Sequence, residues 1–171
     1  MSEEEETYKG LLGSFRYSFG ASESRLYRLY VVVGALFSVL LTLLFALAII
    51  VVIAATLGAS ESITLVRSLF VLVGLVVVAP IIAPILLVAR RHRKRLGSGT
   101  LYDFALALGG FLFIGALYLG LVISVPPELQ EPTSGISGLV VGTLYGIPSV
   151  LGVLPPVLSV VLIVILHRRF R

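Results

Sequence analysis

The chain has no cysteine, and that one absence removes disulfides, thiolate metal sites, S-palmitoylation and cysteine nucleophiles together. Charge is nearly as scarce. Only 13% of the 171 residues are Asp, Glu, Lys or Arg, about half the share found in ordinary soluble domains. The charges that exist are also confined. Residues 29–60, 68–89, 104–127 and 132–166 contain no Asp, Glu, Lys, Arg or His at all. The segments left between them are too short to bury a soluble core of their own.

Four uncharged apolar runs of this length predict membrane spans, because a hydrocarbon layer about 30 Å thick takes about 20 helical residues to cross. The second run alone holds 15 Leu, Ile, Val and Phe. At about 0.4 kcal/mol each, these favour insertion by about 6 kcal/mol with no charge in opposition. The first run begins too far into the chain, and runs too long, for the apolar stretch of a removable signal peptide, so it reads as a retained anchor. The expected fold class is all-α: a polytopic membrane protein with four transmembrane helices in a compact bundle. Expected spans are about 31–57, 68–89, 104–125 and 148–166. Residues 1–28 form a separate region, and 29–171 the transmembrane domain.

Basic residues give the orientation. Lys9, Arg16, Arg25 and Arg28 precede the first span, Arg90, Arg91, Arg93, Lys94 and Arg95 follow the second, and Arg168, Arg169 and Arg171 follow the fourth. Arg67 alone lies in a loop on the other side, with Glu61, Glu128 and Glu131. The positive-inside bias therefore places both termini in the cytoplasm, in the cell membrane. Residues 90–95, Arg-Arg-His-Arg-Lys-Arg, set topology and contact anionic headgroups through Arg90, Arg91, Arg93, Lys94 and Arg95. Nucleic-acid binding is the poorer reading of a cluster placed immediately after a span.

The N-terminal region divides in two. Glu3 to Glu6 make an acidic tip with no apolar residue, expected to be solvated. Beyond it Tyr8, Leu11, Leu12, Phe15 and Phe19 recur at helical spacing, which predicts a short amphipathic helix in the membrane interface. Tyr27 and Tyr30 then mark entry into the headgroup layer. The pentapeptide Gly-Ala-Ser-Glu-Ser occurs at 20–24 and again at 58–62. Each copy lies just before a span, where serine caps a helix and the acid meets its positive end.

Proline and glycine supply the rest of the pattern. Pro80 and Pro84 fall in the second span, and Pro148, Pro155 and Pro156 in or near the fourth. Kinks there require the freed carbonyls to be satisfied by protein or water, so both spans are expected to pack inward. Residues 135–166 would make a helix about 48 Å long, too long for one simple span. The expectation is a re-entrant or interfacial helix over 135–147, with the span beginning at Pro148. Small residues form two stripes expected to pack against other helices, Ala105, Gly109, Ala116 and Gly120 in the third span and Gly138, Gly142 and Gly146 before the fourth. Contact with a second copy of the chain is the alternative for both.

Arginine outnumbers lysine 11 to 2. With the stretches Phe15-Arg16-Tyr17-Ser18-Phe19 and Ser24-Arg25-Leu26-Tyr27-Arg28-Leu29-Tyr30, the chain resembles four-span membrane proteins of salt-loving archaea, chiefly over residues 11–57. That resemblance implies a fold and no activity or site residues.

No ionisable group lies within a span, whereas proton-coupled transporters and intramembrane hydrolases depend on such groups. Asp103, at the start of the third span, is expected to act as the dipole partner of a helix N-terminus. His92 and His167 stand among arginines, which disfavours a metal ion. No catalytic, cofactor or metal site is expected. The leading expectation is a small non-enzymatic membrane protein working through helix and lipid contacts, as a subunit, scaffold or envelope factor. Its partners would be membrane lipids and either further copies of itself or another membrane protein, without nucleic acid. The alternative is a transporter or channel for a neutral or apolar solute, uncoupled from protons. A polar cavity touching Pro80, Thr143 and Pro148 would favour that alternative.

Overall fold

A computed structural model describes residues 10–55, 62–94, 99–130 and 135–170. Six α-helices follow in order: α1 Gly10–Ala21, α2 Arg25–Ala55, α3 Ser62–Arg93, α4 Thr100–Ile123, α5 Gly135–Tyr145 and α6 Leu154–Phe170. Short 3-10 turns at Pro127–Leu129 and Ser149–Val153 flank α5, and no strand occurs among the described residues. Four segments, Arg25–Ala54, Val71–Arg93, Thr100–Ile123 and Ser149–Phe170, are long and apolar enough to cross a membrane. The fold is therefore the expected all-α bundle of a membrane protein. The acidic tip, residues 58–61 of the second pentapeptide, Arg95 and Arg171 lie outside the described residues.

Proline placement explains how the long final apolar region divides. Pro148 ends the turn after α5, while Pro155 and Pro156 occupy the first turn of α6. In that turn an N–H has no intrahelical acceptor, so its loss costs nothing. These two prolines start a helix where the sequence reading had them kink one, and the α-helix begins at Leu154, later than the expected Pro148. Among the described residues only Pro80 and Pro84 lie in the interior of a helix.

α2 and α3 run side by side, α4 packs across both, and α6 lies along α4, with the α4–α6 contact the most extensive. The core gathers around Tyr27 and Tyr30 of α2, Ile81, Ile85 and Val88 of α3, Tyr102, Leu106 and Phe113 of α4, and Ile163 of α6. Most of these sit toward the end of the bundle where α2 and α4 begin and α3 and α6 finish. The same end holds nearly all the arginines, and we call it the basic end.

Beside its prolines α3 is buttressed from α2. Pro84 has no N–H to give to the Pro80 carbonyl, so α3, though continuous, lacks one backbone bond at that turn. The Tyr30 hydroxyl donates to the Ile81 carbonyl at 2.6 Å and the Tyr27 hydroxyl to the Ile85 carbonyl at 3.3 Å. A neighbouring helix thus supplies hydrogen bonds beside a proline, as a low-dielectric surround requires. Both tyrosines are fully buried against protein. Their hydroxyls are worth more against α3 carbonyls than in a headgroup layer already served by water.

Gly110 is what admits Tyr30. A Cβ at that position would overlap the tyrosine ring, which lies against the α4 backbone, and Phe111 meets the ring edge-on at 5.2 Å between centroids. Farther along, a Cβ on Gly120 would run into the Gly152 carbonyl oxygen and one on Gly152 into the Ser124 hydroxyl. The turn before α6 therefore sits directly on the α4 backbone.

Candidate functional site: a polar layer at the basic end

Asp103 centres this layer. It occupies the first turn of α4, is 1% exposed, and its Oδ2 accepts from the Ser22 hydroxyl at 2.6 Å and from His92 Nε2 at 2.9 Å. Three separate pieces of chain meet at one oxygen: the α1–α2 connection, the end of α3 and the start of α4. A dipole role at the helix end, as the sequence predicted, is compatible with this position but omits its main work. The other carboxylate oxygen, Oδ1, is buried with no hydrogen-bond partner among the described residues.

Local sequence explains why Ser22 is available. In the first Gly-Ala-Ser-Glu-Ser copy the N-cap is Ser24, whose Oγ accepts from the Tyr27 N–H at 3.3 Å. Ser22 therefore need not cap α2. Its own Oγ accepts from the Ser24 N–H at 3.2 Å, and its carbonyl accepts from Arg28 Nε at 2.8 Å. The capping expectation describes one serine of the pair, and the other ties the connection to α4.

A second set of contacts binds α6 to the same turn. Tyr102 Oη and His167 Nδ1 share a hydrogen bond of 2.8 Å. The Arg91 guanidinium lies 4.2 Å from the centroid of the Tyr102 ring, and its Nη1 donates to the Phe170 carbonyl at 2.7 Å. Cation–π attraction and a charge-assisted bond to a helix C-terminus favour this placement. Arg91 Nε is buried without a partner. The two histidines that the sequence reading set aside thus dock onto consecutive residues of α4.

Of the residues expected to meet headgroups, Arg90, Arg93 and Lys94 are exposed, whereas Arg91 is turned inward. The α4 stripe faces α6: Gly109 lies against Ile163 and Leu166, Gly120 against Gly152 and Pro156, and Ala105 and Ala116 are buried. The α5 stripe does not. Gly138 is half-buried, Gly142 has open space within 4 Å of an added Cβ, and Gly146 would meet only carbonyls of its own segment.

On α1 the buried face is the serine face. Ser14 and Ser18 are buried, their hydroxyls donating back to the Gly10 and Phe15 carbonyls at 3.1 and 3.2 Å, while Phe19 is 43% exposed. Away from the basic end, α4 and α6 border an apolar groove of about 630 Å³ that opens sideways, lined by residues including Phe111, Gly115, Tyr118, Leu158 and Ser159. It touches none of Pro80, Thr143 or Pro148. Among the described residues no three His, Asp or Glu side chains come together as a metal site.

No curated protein and no solved structure matches this chain. The model of one family, described as a domain of unknown function, DUF8056, matches residues 1–171, and the chain belongs to that family.

Proposed function

We propose that this DUF8056 member is a non-enzymatic, multi-pass protein of the cell membrane that acts by contact with lipids and with another membrane protein, as a subunit, scaffold or envelope factor. The observation carrying this reading is the sideways-opening groove between α4 and α6. It is apolar, has small residues such as Gly115 along it, and lies in helices long enough to span a membrane, which suits a neighbour in the bilayer better than a polar solute. The polar groups at the basic end are occupied largely in joining helices. Thr143, one of the groups a solute path would need, returns its hydroxyl to the Leu139 carbonyl at 2.6 Å.

Purification of the full chain from native membranes, with identification of bound proteins and lipids, is the test. A defined species should be retained, and filling the groove by Gly115→Phe should release it. Solute flux in reconstituted vesicles with no retained species would overturn the reading. The basic end faces the cytoplasm in this proposal, on the argument of positive charge. An impermeant label should accordingly reach a tag near Glu128 and neither terminus, and the opposite pattern would invert the orientation.

A further inference from the structure

The way α1 is held differs from the way the other helices are held. Its buried face is Ser14 and Ser18, with hydroxyls spent on the α1 backbone. Phe15 is its one described side chain that packs against the core, while Phe19 and Arg16 face outward. Across the junction to α2 the Ser18 hydroxyl also bonds to the Tyr27 hydroxyl, so among the described side chains α1 is held by polar contacts as much as by that one ring. The connection to α2 spans residues 22–24, short enough to act as a hinge. Ser22, within that hinge, is bonded to α4 through Asp103 and to α2 through Arg28.

We propose that Ser22, Asp103 and His92 form a hinge pin that fixes the angle of α1 against α3, and that withdrawing the pin lets α1 swing out to lie on the membrane surface. The outward face, with Arg16 exposed and Phe19 partly so, suits a headgroup layer, where an amphipathic helix gains apolar burial and phosphate contact. Asp103 is the part most open to withdrawal. Its Oδ1 is buried without a partner, so the closed arrangement carries an uncompensated desolvation cost that hydration of the opened layer relieves. α1 is thus a strap with two resting places, one on the bundle and one on the bilayer.

The cysteine-free sequence makes the test clean, because a single introduced thiol is the only one present. In the full chain in lipid vesicles, Ser18→Cys reports the docked face and Gly20→Cys, with open space around it, reports an accessible one. A water-soluble maleimide should label the Ser18→Cys chain far more slowly than the Gly20→Cys chain. Adding Asp103→Asn should speed labelling of the Ser18→Cys chain roughly tenfold or more, the scale expected from losing charge-assisted bonds, and leave the Gly20→Cys chain unchanged. Circular dichroism and elution as a single species establish that the bundle persists. If Asp103→Asn lowers the helix content, Ser22→Ala, which removes only the hydroxyl, carries the test with a rise of roughly threefold. Equal labelling of the Ser18→Cys and Gly20→Cys chains without further change would show that α1 is not docked. An unchanged Ser18→Cys rate in a folded pin variant would show that the pin does not hold it. Either result overturns the proposal.

Discussion

The two ends of α2 and α3 are the same helices with nearly the same aliphatic composition, yet one end is a core and the other is bare. At the basic end Tyr27, Tyr30, Ile81, Ile85 and Val88 are fully buried. Toward the far end Leu43, Leu47, Val51, Leu72 and Leu75 are each more than half exposed, and among the described residues the Phe45 ring lying on Gly74 is one contact between the pair there. Leucine and valine cannot make the difference, since lipid is as good a neighbour for them as another helix. Hydroxyls, a carboxylate and a guanidinium can, because each has something to lose in hydrocarbon that only protein restores. In this molecule the polar residues decide where the apolar ones pack.

The sharpest way to break that comparison is to spoil the close approach on which the core depends. Gly110→Leu drives a side chain into the Tyr30 ring, and overpacking of that kind should cost about 3 kcal/mol. Unfolding in mixed detergent would measure it. Gly115→Leu, farther along the same helix and with nothing within 4 Å of an added Cβ, is the matched control. Equal loss in the two variants would show that the Tyr30 ring does not lie against Gly110.

A smaller effect isolates the hydrogen bond from the packing. Tyr30→Phe keeps the ring and removes the second donor at the Ile81 carbonyl, which should cost about 1 kcal/mol, the net worth of one buried hydrogen bond. No measurable loss would mean that α3 is held at this turn without the hydroxyl from α2. Least of all should follow from changes at the bare end. Leu47→Ala on α2 and Gly142→Leu on α5 should each stay within about 0.5 kcal/mol. A clear loss at either position would reveal a cover in the folded state, and with it a partner for that surface.

The spans and the all-α class were legible because long uncharged runs have one common meaning in water-fearing sequence. The basic end was legible too, since charge cannot cross the bilayer cheaply. Pro155 and Pro156 were misread because periodicity does not distinguish the first turn of a helix from its interior, where the cost of a missing N–H is quite different. The α5 stripe looked like the α4 stripe, and spacing alone cannot say whether a small-residue face meets a neighbour. Tyr27 and Tyr30 could have been recognised from their i, i+3 spacing on one face of a helix next to a proline-bearing one. Asp103 could not, because its partners Ser22 and His92 are 81 and 11 residues distant, and pairings of that range are set by how helices cross rather than by any local pattern.

Those distances also impose an order in time. A chain entering the membrane from its N-terminus has Ser22 and His92 already made when Asp103 appears, so the first half of the polar layer can close at once. Arg91 and Tyr102 must wait 79 and 65 residues for Phe170 and His167. Until the end of α6 arrives, the Arg91 guanidinium lacks the Phe170 carbonyl and the Tyr102 hydroxyl lacks His167. The last turn of α6 is therefore the keystone, and the polar layer closes only when it drops into place.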